Sequence, residues 1–192
     1  MFAILPPEDV AQRIQNERLH FAERYNCVKA LKPPVHITIY PPFEEKESFE
    51  KEITSMQQWV ATQNAFHINV KNYNYFKNRF SPVVYIDVEE NKNLQGFGKG
   101  FVTRLRKYIH VKTGFGTFKP HFTIGYRDVP PTLLPAIIDY YTERTFTASF
   151  NVDSIFLWRH SGKNWETIQE FKLEIGITAG EFQESVTQLP LF

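Results

Sequence analysis

Two short stretches of this chain have the same pattern, and this repeat constrains the fold more than any other feature. Near the N-terminus the chain reads Lys32-Pro33-Pro34-Val35-His36-Ile37-Thr38-Ile39, and further on it reads Lys119-Pro120-His121-Phe122-Thr123-Ile124. Each is a His-x-Thr tripeptide in an apolar run typical of a β-strand, entered through Lys-Pro. One such tripeptide would mean little in a chain with six histidines. Two in the same context, 85 residues apart, predict two related halves that each supply one His and one Thr.

The chemistry of the repeat follows from strand geometry, because successive side chains of a strand point to opposite faces. The His and the Thr of each motif therefore share one face, and the apolar residues between and after them share the other. If the two strands face each other across a cleft, two imidazoles and two hydroxyls converge. Histidine can act as acid or base near neutral pH, and hydroxyls can stabilise the charge on phosphate oxygens. The pattern predicts phosphodiester cleavage, and the predicted catalytic residues are His36, Thr38, His121 and Thr123.

Composition sets limits on fold and partners. A chain of 192 residues with 42% hydrophobic and 22% charged residues fits a single globular domain over residues 1–192, which could be bilobal. The aromatic content of 16% indicates a Phe-rich core, and the alternative is that some rings stack on nucleobases at a cleft. A net charge of +1 gives no global attraction for a polyanion, so a nucleic-acid contact should be local and short, and a DNA duplex is not expected as a partner.

Several features indicate a cytoplasmic protein that works without a cofactor. Cys27 is the only cysteine, which excludes an internal disulfide and favours a reducing compartment. The first residues lack the basic segment of a signal peptide, and no apolar run approaches the roughly 20 residues of a membrane span. The sequence contains no His-Glu-x-x-His, no cysteine pair and no clustered carboxylates. We therefore expect no metal.

Hydrophobic periodicity predicts strands that alternate with helices. The predicted strands cover residues 2–5, 35–40, 66–70, 82–88, 121–126, 146–150, 154–160 and 165–173. The predicted helices cover residues 9–25, 48–62, 94–111 and 131–143, and Asp9 is the expected cap of the first. The segment 72–74 indicates a turn, and Gly114 and Gly116 indicate a break before the second motif. Because many connections are hairpin-like, two small antiparallel or mixed sheets, each backed by helices, satisfy the pattern.

Two further residues are predicted to contact a substrate. Strand parity puts Tyr40 on the face of the first motif's His and Thr, where it could line the cleft or stack on a base; packing in the core or at the rim is the alternative. Arg127 lies six residues past His121 and could neutralise a phosphate if the strand continues that far. Gly125 and Asp128 leave room for a bulge or turn, in which case Arg127 is a solvated arginine.

With these motifs the chain resembles the 2H phosphoesterase superfamily, which includes the bacterial RNA 2′,3′-cyclic phosphodiesterases, historically called 2′-5′ RNA ligases. The family signature is two His-x-Thr/Ser motifs with hydrophobic flanks. The likeness extends to the N-terminal strand, the run 120–127 and the closing hairpin 157–168, and only the tail after about residue 175 falls outside it. The resemblance implies a bilobal α+β fold with pseudo-twofold symmetry. Two small, mostly antiparallel sheets would face each other across a central cleft, with helices on the outside.

The resemblance also implies a function. His36 and His121 would be the acid–base pair, and Thr38 and Thr123 would hold the phosphate of an RNA end or a small cyclic nucleotide. The implied reaction is hydrolysis of a 2′,3′-cyclic phosphate to a 2′-phosphate. The family pattern favours His36 as acid and His121 as base, although the symmetry permits the reverse. Two alternatives stay open: a ligase that forms a 2′-5′ bond with the same groups, and a non-catalytic module that binds a nucleotide or RNA end in the same cleft.

Overall fold

A computed structural model describes residues 1–44, 49–109 and 118–175 of the chain. Within these ranges the strands are β1 Phe2–Ile4, β2 Ile37–Tyr40, β3 Phe66–Phe76, β4 Val83–Val88, β5 His121–Gly125, β6 Thr147–Val152, β7 Ser154–His160 and β8 Trp165–Lys172. The α-helices are α1 Glu8–Tyr25, α2 Phe49–Val60, α3 Lys92–Leu105 and α4 Leu134–Thr142. Short 3₁₀ turns cover Lys29–Leu31 and Pro131–Leu133. None of the described helices has the length and apolar character needed to cross a membrane. The predicted break at Gly114 and Gly116 and the tail after residue 175 lie outside the described residues.

The strands form one sheet of eight, in the order β6-β3-β4-β5-β2-β1-β7-β8. The two motif strands, β2 and β5, lie next to each other at its centre and are antiparallel, with Ile37 opposite Phe122. On either side of this junction lie four strands, which we name the terminal lobe (β1, β2, β7 and β8) and the central lobe (β3, β4, β5 and β6). The predicted α+β class is confirmed, and the two predicted sheets correspond to the two lobes, which this pairing joins into one.

All four helices pack on one face of the sheet. The main hydrophobic cluster combines one inward-facing set of strand residues with buried residues of every helix, for example Val10 of α1, Val60 of α2, Phe101 of α3 and Ile137 of α4. The opposite face carries a smaller apolar cluster of Met1, Ala3 and Trp158. Because a strand buries alternate residues, the fully buried Ile37 and Phe122 direct their polar neighbours to that opposite face. The helices therefore form the outside, as predicted.

Helix α1 begins and ends differently from the prediction. It starts at Glu8, and Pro7 occupies the N-cap position without any side-chain hydrogen bond. Asp9 is therefore not the cap; it lies in the first turn, where a carboxylate suits the positive end of the helix dipole. Proline suits this boundary because its missing N–H costs nothing there. The helix ends where Asn26 takes a left-handed conformation with φ of 54°.

Strand β3 passes through the segment predicted as a turn, so that prediction is wrong. The strand is continuous from Phe66 to Phe76, and its pairing with β4 changes register between Val70 and Tyr73. Asn72 has a φ of 56° at this point, a left-handed conformation that asparagine tolerates better than most residues. The polar residues mark a β-bulge, which uses the same amino acids as a turn.

Helix α4 is shorter than the predicted segment 131–143. A 3₁₀ turn covers its first three residues, and the α-helix begins at Leu134 with Pro135 in its first turn. Proline is tolerated at this position because a first-turn N–H has no acceptor within the helix, so the missing donor costs nothing.

Candidate active site

The pairing of β2 with β5 brings the two His-x-Thr motifs together. Ile37 and Phe122 point into the helix-covered core, so the residues before and after each of them share the other face. These residues are His36, Thr38, His121 and Thr123. The structure thus brings all four predicted catalytic side chains to one face at the junction of the two lobes.

The register of the junction also fixes which groups face each other. In an antiparallel pair with Ile37 opposite Phe122, the next positions set Thr38 opposite His121 and His36 opposite Thr123. Directly opposed residues have Cβ atoms about 5 Å apart. Each imidazole therefore has the other motif's hydroxyl as its cross-strand neighbour, and the two rings lie on a diagonal.

Both imidazoles are held in the same way by the backbone. Nδ1 of His36 lies 2.8 Å from the carbonyl oxygen of Pro34, and Nδ1 of His121 lies 2.7 Å from that of Lys119. A carbonyl only accepts, so each Nδ1–H is the donor and each Nε2 is left for chemistry. In the neutral ring, Nε2 of His36 accepts from the hydroxyl of Thr38 at 3.1 Å. The repeated motif thus gives a repeated tautomer.

The surroundings of His36 oppose a positive charge. Its ring packs edge-on against Trp158, with centroids 5.3 Å apart. The pKa of His36 is lowered to about 4, mainly by burial and in smaller part by the charges of Arg18 and His121, against the opposing effect of the Pro34 carbonyl. The mutual effect of the two histidines reflects their closeness. His36 is therefore neutral over the physiological pH range.

The surroundings of His121 include an acid. Its ring lies against Tyr85 and Phe76, with centroid distances of 4.8 and 5.1 Å, and its pKa is lowered by burial and, in smaller part, by the Lys119 ammonium. The Lys119 carbonyl and the carboxylate of Asp87 act in the opposite direction and favour the charged ring. Asp87 is the cross-strand partner of His121 on β4.

Asp87 is itself held by two side chains. The Lys119 ammonium lies 2.9 Å from one of its oxygens, and the amide of Asn74 donates to the other at 3.1 Å. The sequence did not identify Asp87 as a functional residue, because only the pairing of β4 with β5 sets it beside a histidine.

A buried arginine links the two motifs from the helix side. Arg18 of α1 is 1% exposed. Its Nε donates to the carbonyl of Thr123 and its Nη1 to that of Pro33, both at 2.9 Å. Burial lowers the pKa of Arg18 to about 10, so it stays charged at neutral pH. Its spacing of four residues from Ile14, on the apolar face of the predicted helix, was the signal that could have found it.

Tyr40 does not share the face of the first motif. The pairing of β1 with β2 changes register, with Ala3 opposite Thr38 but Phe2 opposite Tyr40. This bulge breaks the strict alternation on which the prediction relied. The Tyr40 ring is 2% exposed and contacts Phe43 within the main core. We therefore leave it out of the proposed substrate contacts.

Arg127 lies beyond the end of β5, in the turn that the sequence allowed as an alternative. Its φ of 68° is left-handed, so strand parity does not apply to it. The side chain is exposed and its guanidinium lies over the ring of Tyr126 at 4.8 Å. It also donates to the Tyr126 hydroxyl at 2.7 Å.

A metal site on the same face would need a cluster of ligating side chains. Among the described residues, no group of three or more His, Cys, Asp or Glu side chains could hold a metal ion. The polar groups at the junction are two imidazoles, two hydroxyls and a buried cation. Such a set suits proton transfer at a tetrahedral anion.

A two-lobed α+β fold with a His-x-Thr motif on each central strand defines the class of 2H phosphoesterases. A family model described as the 2′-5′ RNA ligase superfamily matches residues 6–164, and the chain belongs to that superfamily. It is thus an enzyme of the phosphoesterase and ligase type. No curated protein sequence gives a significant match.

Solved structures support the fold. TT0787 of Thermus thermophilus has 18% identity and a TM-score of 0.59, covering 91% of this chain and 97% of its own. LigT of E. coli, solved with NADP⁺, has 17% identity and a TM-score of 0.58, covering 90% of this chain and 95% of its own. A LigT structure with 3′-AMP has 16% identity and a TM-score of 0.55, with 90% and 96% coverage.

Proposed function

We propose that this chain hydrolyses 2′,3′-cyclic phosphate ends of RNA or of small nucleotides. His36 and His121 are the acid–base pair, and Thr38 and Thr123 donate hydrogen bonds to the phosphate. The observation that carries the proposal is the convergence of both motifs on one sheet face, each imidazole anchored at Nδ1 by a backbone carbonyl. That anchoring leaves Nε2 as the reactive nitrogen of each ring, and the Thr38 hydroxyl, which donates to Nε2 of His36 in the free enzyme, turns to the phosphate when substrate binds.

The reaction needs two proton transfers at opposite sides of phosphorus. One Nε2 accepts a proton from water while the water oxygen bonds to phosphorus. The bond between phosphorus and O3′ breaks, its electron pair stays on O3′, and the other imidazole donates its proton there. The product is a 2′-phosphate with a free 3′-hydroxyl. The two steps require opposite protonation states, which is why two separate histidines are needed.

The hydroxyls stabilise the charge that develops on the phosphate. As phosphorus becomes five-coordinate, its non-bridging oxygens gain negative charge, and preorganised donors lower the barrier most where charge develops. Thr38 lies opposite His121 and Thr123 lies opposite His36 in the strand pairing. Each hydroxyl is therefore beside an imidazole that exchanges a proton with either the water oxygen or O3′. The buried Arg18 charge, held under the junction, adds a fixed positive field. No step of this scheme calls for a metal.

The class of ligand is supported by a relative. LigT of E. coli has been solved with 3′-AMP, with phosphate, with ATP and with NADP⁺. We infer that this chain also takes a nucleotide phosphate in its cleft. Its modest net charge of +1 suits a small molecule or an RNA end better than a long duplex.

The proposal is tested by turnover of cytidine 2′,3′-cyclic phosphate with and without EDTA. We expect turnover by the wild type in both conditions, and losses of about a thousandfold in His36→Ala and in His121→Ala. His67→Ala is the matched control, because His67 is exposed on β3 and bonds to Asn151. Substantial activity in either active-site variant would contradict two-histidine catalysis. Nucleotide binding by the wild type with no product would favour the binding module instead.

A further inference from the structure

Three connecting segments meet at one end of the sheet, beside the cleft. They are the loop 77–82 between β3 and β4, the turn 126–128 after β5, and the segment 28–34 that leads into β2. In the sheet order β3-β4-β5-β2 these segments follow one another along the edge. Neighbouring strands lie about 4.8 Å apart, so the edge is about 15 Å long.

Specific contacts fix the segments to one another. Val84 at the start of β4 pairs with Gly125 at the end of β5, which sets the loop 77–82 next to the turn 126–128. The carboxylate of Asp128 accepts hydrogen bonds from the backbone N–H groups of Val28 and Lys29, both at 2.8 Å. The three segments therefore form one continuous surface, and its acidic side chain is engaged by the backbone.

This surface is basic and aromatic. Six of its exposed side chains are cations or aromatic rings that we name the basic edge: Lys32, Lys77, Arg79, Phe80, Tyr126 and Arg127. Phe80 is 83% exposed and Tyr126 is 36% exposed. Each ring has an arginine over it, Arg79 at 5.4 Å and Arg127 at 4.8 Å. Within the described residues, none of the four cations forms a salt bridge with a carboxylate.

The basic edge is continuous with the candidate active site. The loop 77–82 starts directly after Phe76, whose ring lies 5.1 Å from that of His121. Tyr126 lies three residues beyond Thr123, or about 10 Å along an extended chain. On the other side Lys32 is four residues before His36. A chain of nucleotides whose terminal phosphate is in the cleft would pass over this surface.

We propose that the basic edge binds the nucleotides that precede the terminal phosphate of a single-stranded RNA. The inference rests on the proposed function, and it makes an RNA end, rather than a free mononucleotide, the preferred substrate. Cations along a groove bind backbone phosphates, and exposed rings stack on unpaired bases whatever the sequence. The arginines over the two rings add a stacking plane and a phosphate contact at the same place. With an overall net charge of +1, this local concentration of cations is what supplies the attraction.

The test compares two substrates in the same enzyme preparations. One is cytidine 2′,3′-cyclic phosphate, and the other is a hexaribonucleotide without internal pairing that ends in a 2′,3′-cyclic phosphate. We expect the wild type to have the higher kcat/KM for the hexaribonucleotide. The ratio of kcat/KM for the hexaribonucleotide to kcat/KM for the mononucleotide should fall about tenfold in Lys77→Gln/Arg79→Gln. It should also fall about tenfold in the separate variant Phe80→Ala. The control Lys99→Gln/Lys163→Gln, which removes two exposed cations outside the basic edge, should keep the ratio.

If the protein turns over neither substrate, the role of the basic edge is tested by RNA binding. A labelled hexaribonucleotide with a 3′-phosphate serves as the probe, and its affinity is measured against salt concentration. The slope of log K against log salt is negative, and it should become less steep by about 1.4 in Lys77→Gln/Arg79→Gln, which loses two phosphate contacts. An unchanged slope, or an unchanged kcat/KM ratio in the edge variants, would overturn the inference. Equal loss of affinity for an RNA duplex of the same length would overturn the preference for a single strand. Turnover of both substrates with an unchanged ratio would leave the proposed reaction standing and remove only the basic edge.

Discussion

The two His-x-Thr motifs have nearly the same local structure but different neighbours. Each histidine donates from Nδ1 to a carbonyl two residues earlier, at 2.8 and 2.7 Å. Around His36 the neighbouring charges are Arg18 and His121, and both lower its pKa. Around His121, Asp87 acts in the opposite direction. The motif fixes the tautomer, whereas the strands packed beside it set the charge.

This difference bears on how the pair shares one proton. Two nearby imidazoles do not titrate independently, and the singly protonated state is divided according to their surroundings. The burial of His36 and the carboxylate beside His121 favour the proton on His121 in the free enzyme. The expected roles are then His36 as base and His121 as acid, the reverse of the order that the family resemblance favoured.

The largest effect in the comparison is expected from the hydroxyls. Thr38→Val and Thr123→Val each remove one donor to the phosphate and should lower kcat by about a hundredfold. Serine at either position keeps the hydroxyl and should restore most of the activity. Steady-state kinetics on the cyclic nucleotide measure both. Valine variants with near wild-type kcat would show that the hydroxyls do not stabilise the transition state.

A smaller effect is expected from Arg18. In Arg18→Met two partly buried carbonyls lose their donor, so the free energy of unfolding should fall by about 2 kcal/mol. Turnover should fall about tenfold because both motif strands lose an anchor. Loss of the cation also favours the charged imidazole, so the pKa of His36 rises and the limb of the pH–rate profile that reports it moves to higher pH.

Thermal unfolding and pH–rate profiles separate the two roles of Arg18. Arg18→Lys keeps the charge but cannot span both carbonyls in the same fork geometry. It should therefore lose stability while keeping the position of the His36 limb. A limb that stays in place in Arg18→Met would limit the arginine to a structural role.

The smallest effect is expected from Asp87. Asp87→Asn removes a negative charge next to His121, which lowers the pKa of that ring. With His121 as the acid, less of it is protonated at neutral pH, so the rate there should fall about threefold. If His121 is the acid, the alkaline limb of the profile moves to lower pH. Movement of the acidic limb would instead identify His121 as the base. Glu89→Gln is the control, because Glu89 pairs with Lys71 at 3.5 Å, away from the histidines.

The sequence was sufficient where a pattern is local. Apolar spacing predicted the helices and most strands, and the repeated motif predicted that the His and the Thr of each motif share one face of its strand, because each depends on neighbours close in the chain. It was insufficient where the outcome depends on pairing. The bulge that turns Tyr40 into the core and the strand contact that brings Asp87 to His121 are set by register. Asn72 is a residue type typical of turns, but it lies within strand β3 because the pairing with β4 changes register there and forms a bulge.

Along the sequence the central lobe is inserted between the two parts of the terminal lobe, and this insertion affects how the chain folds as it is synthesised. The terminal lobe takes β1 and β2 from the beginning of the chain and β7 and β8 from its end, while the central lobe takes the strands between. On a ribosome, the lobe that holds His36 is therefore incomplete until β8 has emerged. The central lobe can assemble earlier. The pairing of strands that are far apart in the sequence is slow, because the entropy of closing the long loop between them is lost before their contacts form. Cutting the chain at its midpoint would yield two fragments that each contain a His-x-Thr motif, and neither would contain a whole lobe.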